Sequence, residues 1–93
     1  MSETIDRLEA TIHERQAHPV ETSYTCRLLA AGQVEILKKV GEEATEVVVA
    51  GALQGHERLV YETADLVYHV LVMLASQGLA WSDIEAELAR RFK

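Results

Sequence analysis

The stretch from His56 to Gln77 constrains the fold more than any other part of this chain. It carries Leu59, Val60, Tyr61, Ala64, Leu66, Val67, Val70, Leu71, Val72, Met73 and Leu74. Wound into a helix, these residues leave almost no solvated face, and a helix that is apolar all round is buried on several sides. The whole chain has 93 residues. That is little more than the roughly 70–80 residues at which a single core becomes sufficient. The expectation is a helical oligomer in which some of the burial happens between chains. The longest unbroken apolar run, Val70 to Ala75, is far shorter than the roughly 20 residues that cross a bilayer, so no membrane partner is expected.

The remainder also reads as helical. One proline and five glycines interrupt the chain, and no period-two alternation marks a strand. Helix one is predicted from Glu3 to Ala17, with Ser2 as its cap and Ile5, Leu8 and Ile12 on one face. Pro19 biases His18 toward extended backbone and ends it. Ser23 caps a short helix from Tyr24 to Ala31, which stops at Gly32. Helix three is predicted from Gln33 to Gln54. Its apolar face carries Ile36, Leu37, Val40, Ala44, Val47, Val48 and Gly51, opposite Glu35, Lys39, Glu42 and Glu46. Gly41 reads either as a packing glycine or as a kink or close ligand approach. Gly55 separates this helix from the apolar one, which ends at Gly78. A last helix is predicted to start with a capping box at Ser82-Asp83-Ile84-Glu85. Ile84, Leu88 and Phe92 form its inner stripe, and Arg90, Arg91 and Lys93 suit its negative end. Residues 1–93 are read as one all-α domain.

Charge and cysteine content narrow the function. Acids outnumber bases 15 to 9, for a net charge of −6, which argues against a nucleic-acid binder working through phosphate attraction. Cys26 is the one cysteine, so an internal disulfide and a multi-cysteine zinc site are excluded. The acidic start of the chain shows no secretory pattern. A cytoplasmic protein is expected.

The chemistry concentrates in six acids: Glu42, Glu43, Glu46, Glu57, Glu62 and Asp65. Glu43 and Glu46 are three apart, and Glu42 and Glu46 four, so they are neighbours on helix three. On the apolar helix Glu62 and Asp65 are three apart, and His69 is four beyond Asp65. Burying ionised carboxylates in such a helix is costly unless something compensates. No lysine or arginine follows Arg58 in it. A hard divalent cation, magnesium foremost, supplies the compensation because it takes oxygen ligands. Alone, Glu42, Glu43 and Glu46 would read as a solvated face paired with Lys38 and Lys39. A di-iron bundle needs Glu-x-x-His pairs, and no histidine here has a glutamate three positions before it.

The strings Lys38-Lys39-Val40-Gly41-Glu42-Glu43-Ala44-Thr45-Glu46 and Glu62-Thr63-Ala64-Asp65-Leu66-Val67-Tyr68-His69 resemble the MazG-like all-α nucleotide pyrophosphatases. Ser23-Tyr24-Thr25 with Leu28, Leu29 and Gly32, together with Tyr68-His69, resembles within them the phosphoribosyl-ATP pyrophosphatase family of histidine biosynthesis. The similarity runs from Ile5 to Arg91. It implies hydrolysis of the α–β phosphoanhydride of phosphoribosyl-ATP to phosphoribosyl-AMP and pyrophosphate. It implies a magnesium-dependent homodimer in which two long helices form a hairpin, shorter helices flank it, and the paired hairpins make a four-helix-bundle core. Magnesium would be held by a subset of Glu42, Glu43, Glu46, Glu62 and Asp65. Glu43, Glu46, Glu62 and Asp65 are the catalytic candidates, Glu43 among them for general base.

Lys38, Lys39 and Arg27 are candidates to hold phosphates, against readings as helix-face salt bridges and an ordinary surface charge. Tyr24 and Thr25 are candidates to line the nucleotide pocket. His69 is a candidate for substrate or for a ligating carboxylate, against a purely structural role. Tyr61 and Tyr68 read as core packing, Trp81 as packing over a helix junction, and Cys26 as a small buried residue. Two rival functions stay open: a general nucleotide pyrophosphatase acting on substrates such as dCTP or dUTP, and a non-catalytic helical dimerisation module.

Overall fold

The computed structural model describes residues 2–92 and consists of five helices, with no strand among the described residues. α1 spans Glu3–Ala17, α2 Tyr24–Ala31, α3 Gln33–Leu53, α4 His56–Ser76 and α5 Trp81–Arg90. The all-α expectation holds, and the first four helices start and stop within a residue of their predicted bounds. Local chemistry explains this. Ser2 Oγ accepts from the Ile5 amide and Ser23 Oγ from the Cys26 amide, each at 3.2 Å. Both bonds satisfy amides that a first helical turn leaves open. Gly32 and Gly55 stand before α3 and α4 with φ of 93° and 88°, a region other side chains rarely enter. The short joint at Gln54 and Gly55 folds α3 and α4 into an antiparallel hairpin.

The start of α5 differs from expectation. Its cap residue is Ala80, and Ser82 lies inside the helix. Asp83 Oδ2 accepts from the Ala80 amide at 2.8 Å, and Glu9 Oε2 from the Trp81 amide at 2.7 Å. These two carboxylates satisfy the first amides before Ser82 is reached. The predicted inner stripe is covered only at Ile84, which is half-buried; Leu88 is 50% and Phe92 83% exposed. Lys93 lies outside the described residues.

The core joins Ile12 of α1, Leu28 of α2, Ile36 of α3, and Leu71, Val72 and Ala75 of α4. It sits where the start of α3 meets the end of α4. Trp81 packs against it, as expected for a helix junction. Gln16 Nε2 donates to the Ala75 carbonyl and Gln33 Nε2 to Ser76 Oγ, each at 2.9 Å. Gln33 Nε2 also reaches the Ser76 carbonyl at 3.4 Å, so both side chains close the carbonyl end of α4. Leu71 is 1% exposed. Leu71→Ala should therefore cost about 2–5 kcal/mol through lost transfer energy and a residual cavity, read as a lowered midpoint in urea unfolding.

The opposite end of the hairpin is bare. Val48, Leu53, Val60 and Tyr61 are 60–82% exposed. The broad apolar face predicted for α3 shrinks accordingly. Its buried residues are Ile36, Glu43 and Ala50, seven apart, because one packed helix covers only a narrow stripe. Leu37 and Val48 point outward. A Cβ at Gly41 would meet open space within this chain, so no packing contact there requires glycine. α4 is long and apolar enough to cross a membrane by length and composition alone. Packing of α1, α2 and α3 on it accounts for part of that composition; Val60 and Tyr61 belong to the bare end.

Candidate active site

Positions seven apart on a helix return to nearly the same face. Glu43 therefore lies on the buried stripe of α3, between Ile36 and Ala50. Glu62 and His69 share the buried stripe of α4. The antiparallel hairpin sets the two stripes against each other. One carboxylate oxygen from each of Glu43, Glu46, Glu62 and Asp65 lies within 4.8 Å of the other three. A ring nitrogen of His69 also lies within 4.8 Å of carboxylate oxygens of Glu43 and Asp65. Glu43 and Glu62 are buried, Asp65 is half-buried and Glu46 is exposed, so the cluster opens on the Glu46 side.

Like charges at this spacing disfavour full ionisation. Burial, reinforced by the charges of Asp65 and Glu46, pushes the Glu43 carboxyl up to about 7. Glu43 Oε1 is 3.5 Å from Lys39 Nζ. Glu43 Oε2 is buried without any hydrogen-bond partner. An unsatisfied buried acceptor costs about 1–3 kcal/mol. A cation coordinated by this oxygen removes that cost, and a donor set of four carboxylates suits a hard divalent ion. The residues present therefore fit a bound metal.

Lys39 faces the cluster from α3. Burial pulls its ammonium down, but Tyr24, Glu43 and Glu42 outweigh that and hold it above its ordinary range. The other expected bases stand elsewhere. Lys38 is exposed and pairs with Glu35 at 3.8 Å. Arg27 Nη1 donates to the Thr22 carbonyl at 3.2 Å, turned toward the loop before α2. Glu42 is exposed, lies 3.5 Å from Lys39 and stands outside the carboxylate group. Consecutive helical residues point about 100° apart around the axis, which is why only one of the two neighbours enters.

Arg58 is the residue the sequence reading passed over. Its Nη2 is 2.9 Å from Glu62 Oε2, and its guanidinium lies 4.6 Å from the Tyr61 ring centroid. The i, i+4 spacing of Arg58 and Glu62 was the available signal. Tyr61, expected in the core, is exposed beneath it. Cys26 is half-buried rather than enclosed. Its Sγ accepts from the Val20 amide at 3.2 Å and so fastens the loop after α1; that amide holds the thiol below its usual range.

A profile of the phosphoribosyl-ATP pyrophosphohydrolase family matches residues 5–92. This chain belongs to that family. It is 49% identical over 89 residues to a phosphoribosyl-ATP pyrophosphatase of Pyrobaculum calidifontis, covering 96% of this chain and 95% of the relative. Identity to the phosphoribosyl-ATP pyrophosphatase of Metallosphaera sedula is 45% over 93 residues, the full length of both. The histidine biosynthesis bifunctional protein HisIE of Caldanaerobacter subterraneus is 46% identical over 91 residues, spanning 98% of this chain and 44% of that longer protein.

The strings that suggested the phosphoribosyl-ATP pyrophosphohydrolase family meet in space. Tyr24 Oη and His69 Nε2 are 3.0 Å apart, and Thr25 Oγ1 shares a hydrogen bond with Tyr68 Oη. His69 Nδ1 lies 2.8 Å from the Asp65 carbonyl. That carbonyl only accepts, so Nδ1 donates to it, and Nε2 shares a hydrogen bond with the Tyr24 hydroxyl. The three rings stack edgewise or tilted, with centroids 5.0–6.3 Å apart.

Proposed function

We propose that this chain hydrolyses phosphoribosyl-ATP to phosphoribosyl-AMP and pyrophosphate, using magnesium held by Glu43, Glu46, Glu62 and Asp65. The chain is a hydrolase of the phosphoribosyl-ATP pyrophosphohydrolase family. The observation that carries the metal assignment is the convergence of four carboxylate oxygens within 4.8 Å, with Glu43 among them carrying a buried oxygen that has no hydrogen-bond partner. Bound magnesium would neutralise phosphate oxygens and acidify a water. Glu43 is the candidate for general base through whichever oxygen is left off the metal; in the metal-free chain burial raises its carboxyl to about 7. Lys39 is placed to meet phosphate oxygens at the cluster's edge. Asp65 lines a hollow of about 320 Å³ with Val60, Tyr61, Ala64 and Tyr68, beside the carboxylates and open to a substrate.

The bare end of the hairpin supports a homodimer. A second copy laid against Val48, Leu53, Val60 and Tyr61 would complete a four-helix bundle and cover an apolar surface that a lone chain leaves in water. The reaction consumes a nucleotide and needs no membrane, which fits a cytoplasmic location.

Pyrophosphate release tests the reading. Purified protein with magnesium is given phosphoribosyl-ATP, ATP, dCTP or dUTP. Turnover strongly preferring phosphoribosyl-ATP and abolished by EDTA is the expected result. Preference for a plain nucleotide would move the chain to general nucleotide hydrolysis, and no release from any of them would leave a dimerisation module.

A further inference from the structure

Among the described residues, two lysine or arginine side chains pair with the carboxylate cluster, and each stands one helical turn before the acid it meets. Lys39 precedes Glu43 on α3, and Arg58 precedes Glu62 on α4. The hairpin is antiparallel, so they flank the cluster from opposite ends. Lys39 stands at the α2 end, where Tyr24 bears on its charge, and Arg58 at the turn between α3 and α4. Arg58, Glu62, Asp65 and His69 follow at helical spacing on one face of α4. Arg58 is half exposed, with Nη2 at 2.9 Å from Glu62 Oε2. A guanidinium carries five N–H donors, so donors remain for a second acceptor. A polar hollow of about 290 Å³ opens beside it, lined by Gln54, Glu57, Arg58 and Tyr61. Tyr61 is shared with the more apolar hollow at Asp65, whose other walls are Val60, Ala64 and Tyr68.

The substrate is as unequal as the two hollows. On one side of the α–β bond lies pyrophosphate alone. On the other lie two sugars, a base and a distant phosphate. A cation touching a metal-holding carboxylate reaches only the phosphates next to the reacting bond. The rings suit the apolar hollow, which leaves the polar one to pyrophosphate. We propose that Arg58 binds the pyrophosphate end of the substrate, in the hollow it shares with Gln54, Glu57 and Tyr61. Its fork matches two phosphate oxygens at once, and Gln54 adds an amide donor. Glu57 is the one repelling charge in the lining. This inference rests on the phosphoribosyl-ATP reading above.

Calorimetry in excess magnesium measures pyrophosphate and phosphoribosyl-AMP binding to wild type, Arg58→Gln, Arg58→Lys and Glu57→Gln, and magnesium alone is titrated separately. Arg58→Gln should weaken pyrophosphate by about 10- to 100-fold, the scale of a hydrogen bond to a charged group, and phosphoribosyl-AMP by less than about threefold. Arg58→Lys should regain only part of the loss, because lysine lacks the fork. Glu57→Gln should tighten pyrophosphate by about 2- to 5-fold, the scale of an exposed charge pair. KM for phosphoribosyl-ATP should rise in Arg58→Gln, while magnesium affinity does not fall, since Glu62 loses a competitor for its oxygen. Weakened magnesium binding with both products weakened alike would reduce Arg58 to a support for Glu62 and overturn the proposal, as would pyrophosphate affinity unchanged in Arg58→Gln. Wild-type protein that binds pyrophosphate through Arg58 but neither binds phosphoribosyl-AMP nor cleaves phosphoribosyl-ATP overturns the functional reading and leaves the pyrophosphate site standing.

Discussion

Glu62→Gln leaves the helices in place and lowers phosphoribosyl-ATP hydrolysis on the order of 10³-fold. The substitution keeps the size of a side chain that is only 4% exposed, and it removes one negative charge from a four-carboxylate cluster. Metal stabilisation of developing phosphate charge amounts to several kcal/mol, and each 1.36 kcal/mol is roughly tenfold in rate. The loss should appear in kcat and in magnesium affinity together, measured by turnover and by calorimetric titration of the ion. Arg58 loses its charged partner at the same time, and being half exposed it can turn to solvent. A variant that binds magnesium normally and turns over at the wild-type rate would remove Glu62 from the site.

Glu43→Gln should do two opposite things. Activity falls by about 10²- to 10⁴-fold, the usual contribution of a general base. Metal-free stability rises above neutral pH. The cause is the carboxyl's shift from an ordinary 4.5 to about 7. Between those values the folded chain keeps a proton that the unfolded chain has released, so stability falls as pH rises. The contribution of protonated Glu43 is complete below pH 4.5 and is lost as pH passes 7. Wild-type protein in EDTA should therefore show a urea midpoint that declines across this window, while Glu43→Gln stays level. Magnesium reverses the preference, because it binds the ionised carboxylate. Titration at pH 6 should release protons, visible as a binding heat that changes with the ionisation enthalpy of the buffer. A wild-type midpoint that does not fall between pH 4.5 and 7 without metal would contradict the burial of Glu43.

What the sequence could disclose follows from how far each interaction reaches. Helix starts at Ser2 and Ser23 and stops at Gly32 and Gly55 are decided by groups three or four residues away, and they were legible. The pairing of Glu43 and Glu46 with Glu62 and Asp65 was legible as chemistry, since two acidic pairs on apolar helices need a common counter-charge. The rotation of α3 about its own axis was not. It decides that Glu43 turns inward and Glu42 outward, and it depends on which stripe α4 covers. The start of α5 was misread for a similar reason. The Trp81 amide is satisfied by Glu9, on a helix distant in sequence. Tyr68 packs on the core as its helical periodicity suggested, but its bond to Thr25 crosses between helices and was not legible.

The uncovered end of the hairpin makes dilution a variable. If the apolar surface around Val48, Leu53 and Val60 is shielded only by a second copy, folding and assembly become one equilibrium, and mass action governs both. The melting temperature should climb with protein concentration. Specific activity should sag in nanomolar assays and recover on concentrating the sample, since Val60 and Tyr61 line the same hollow as Asp65.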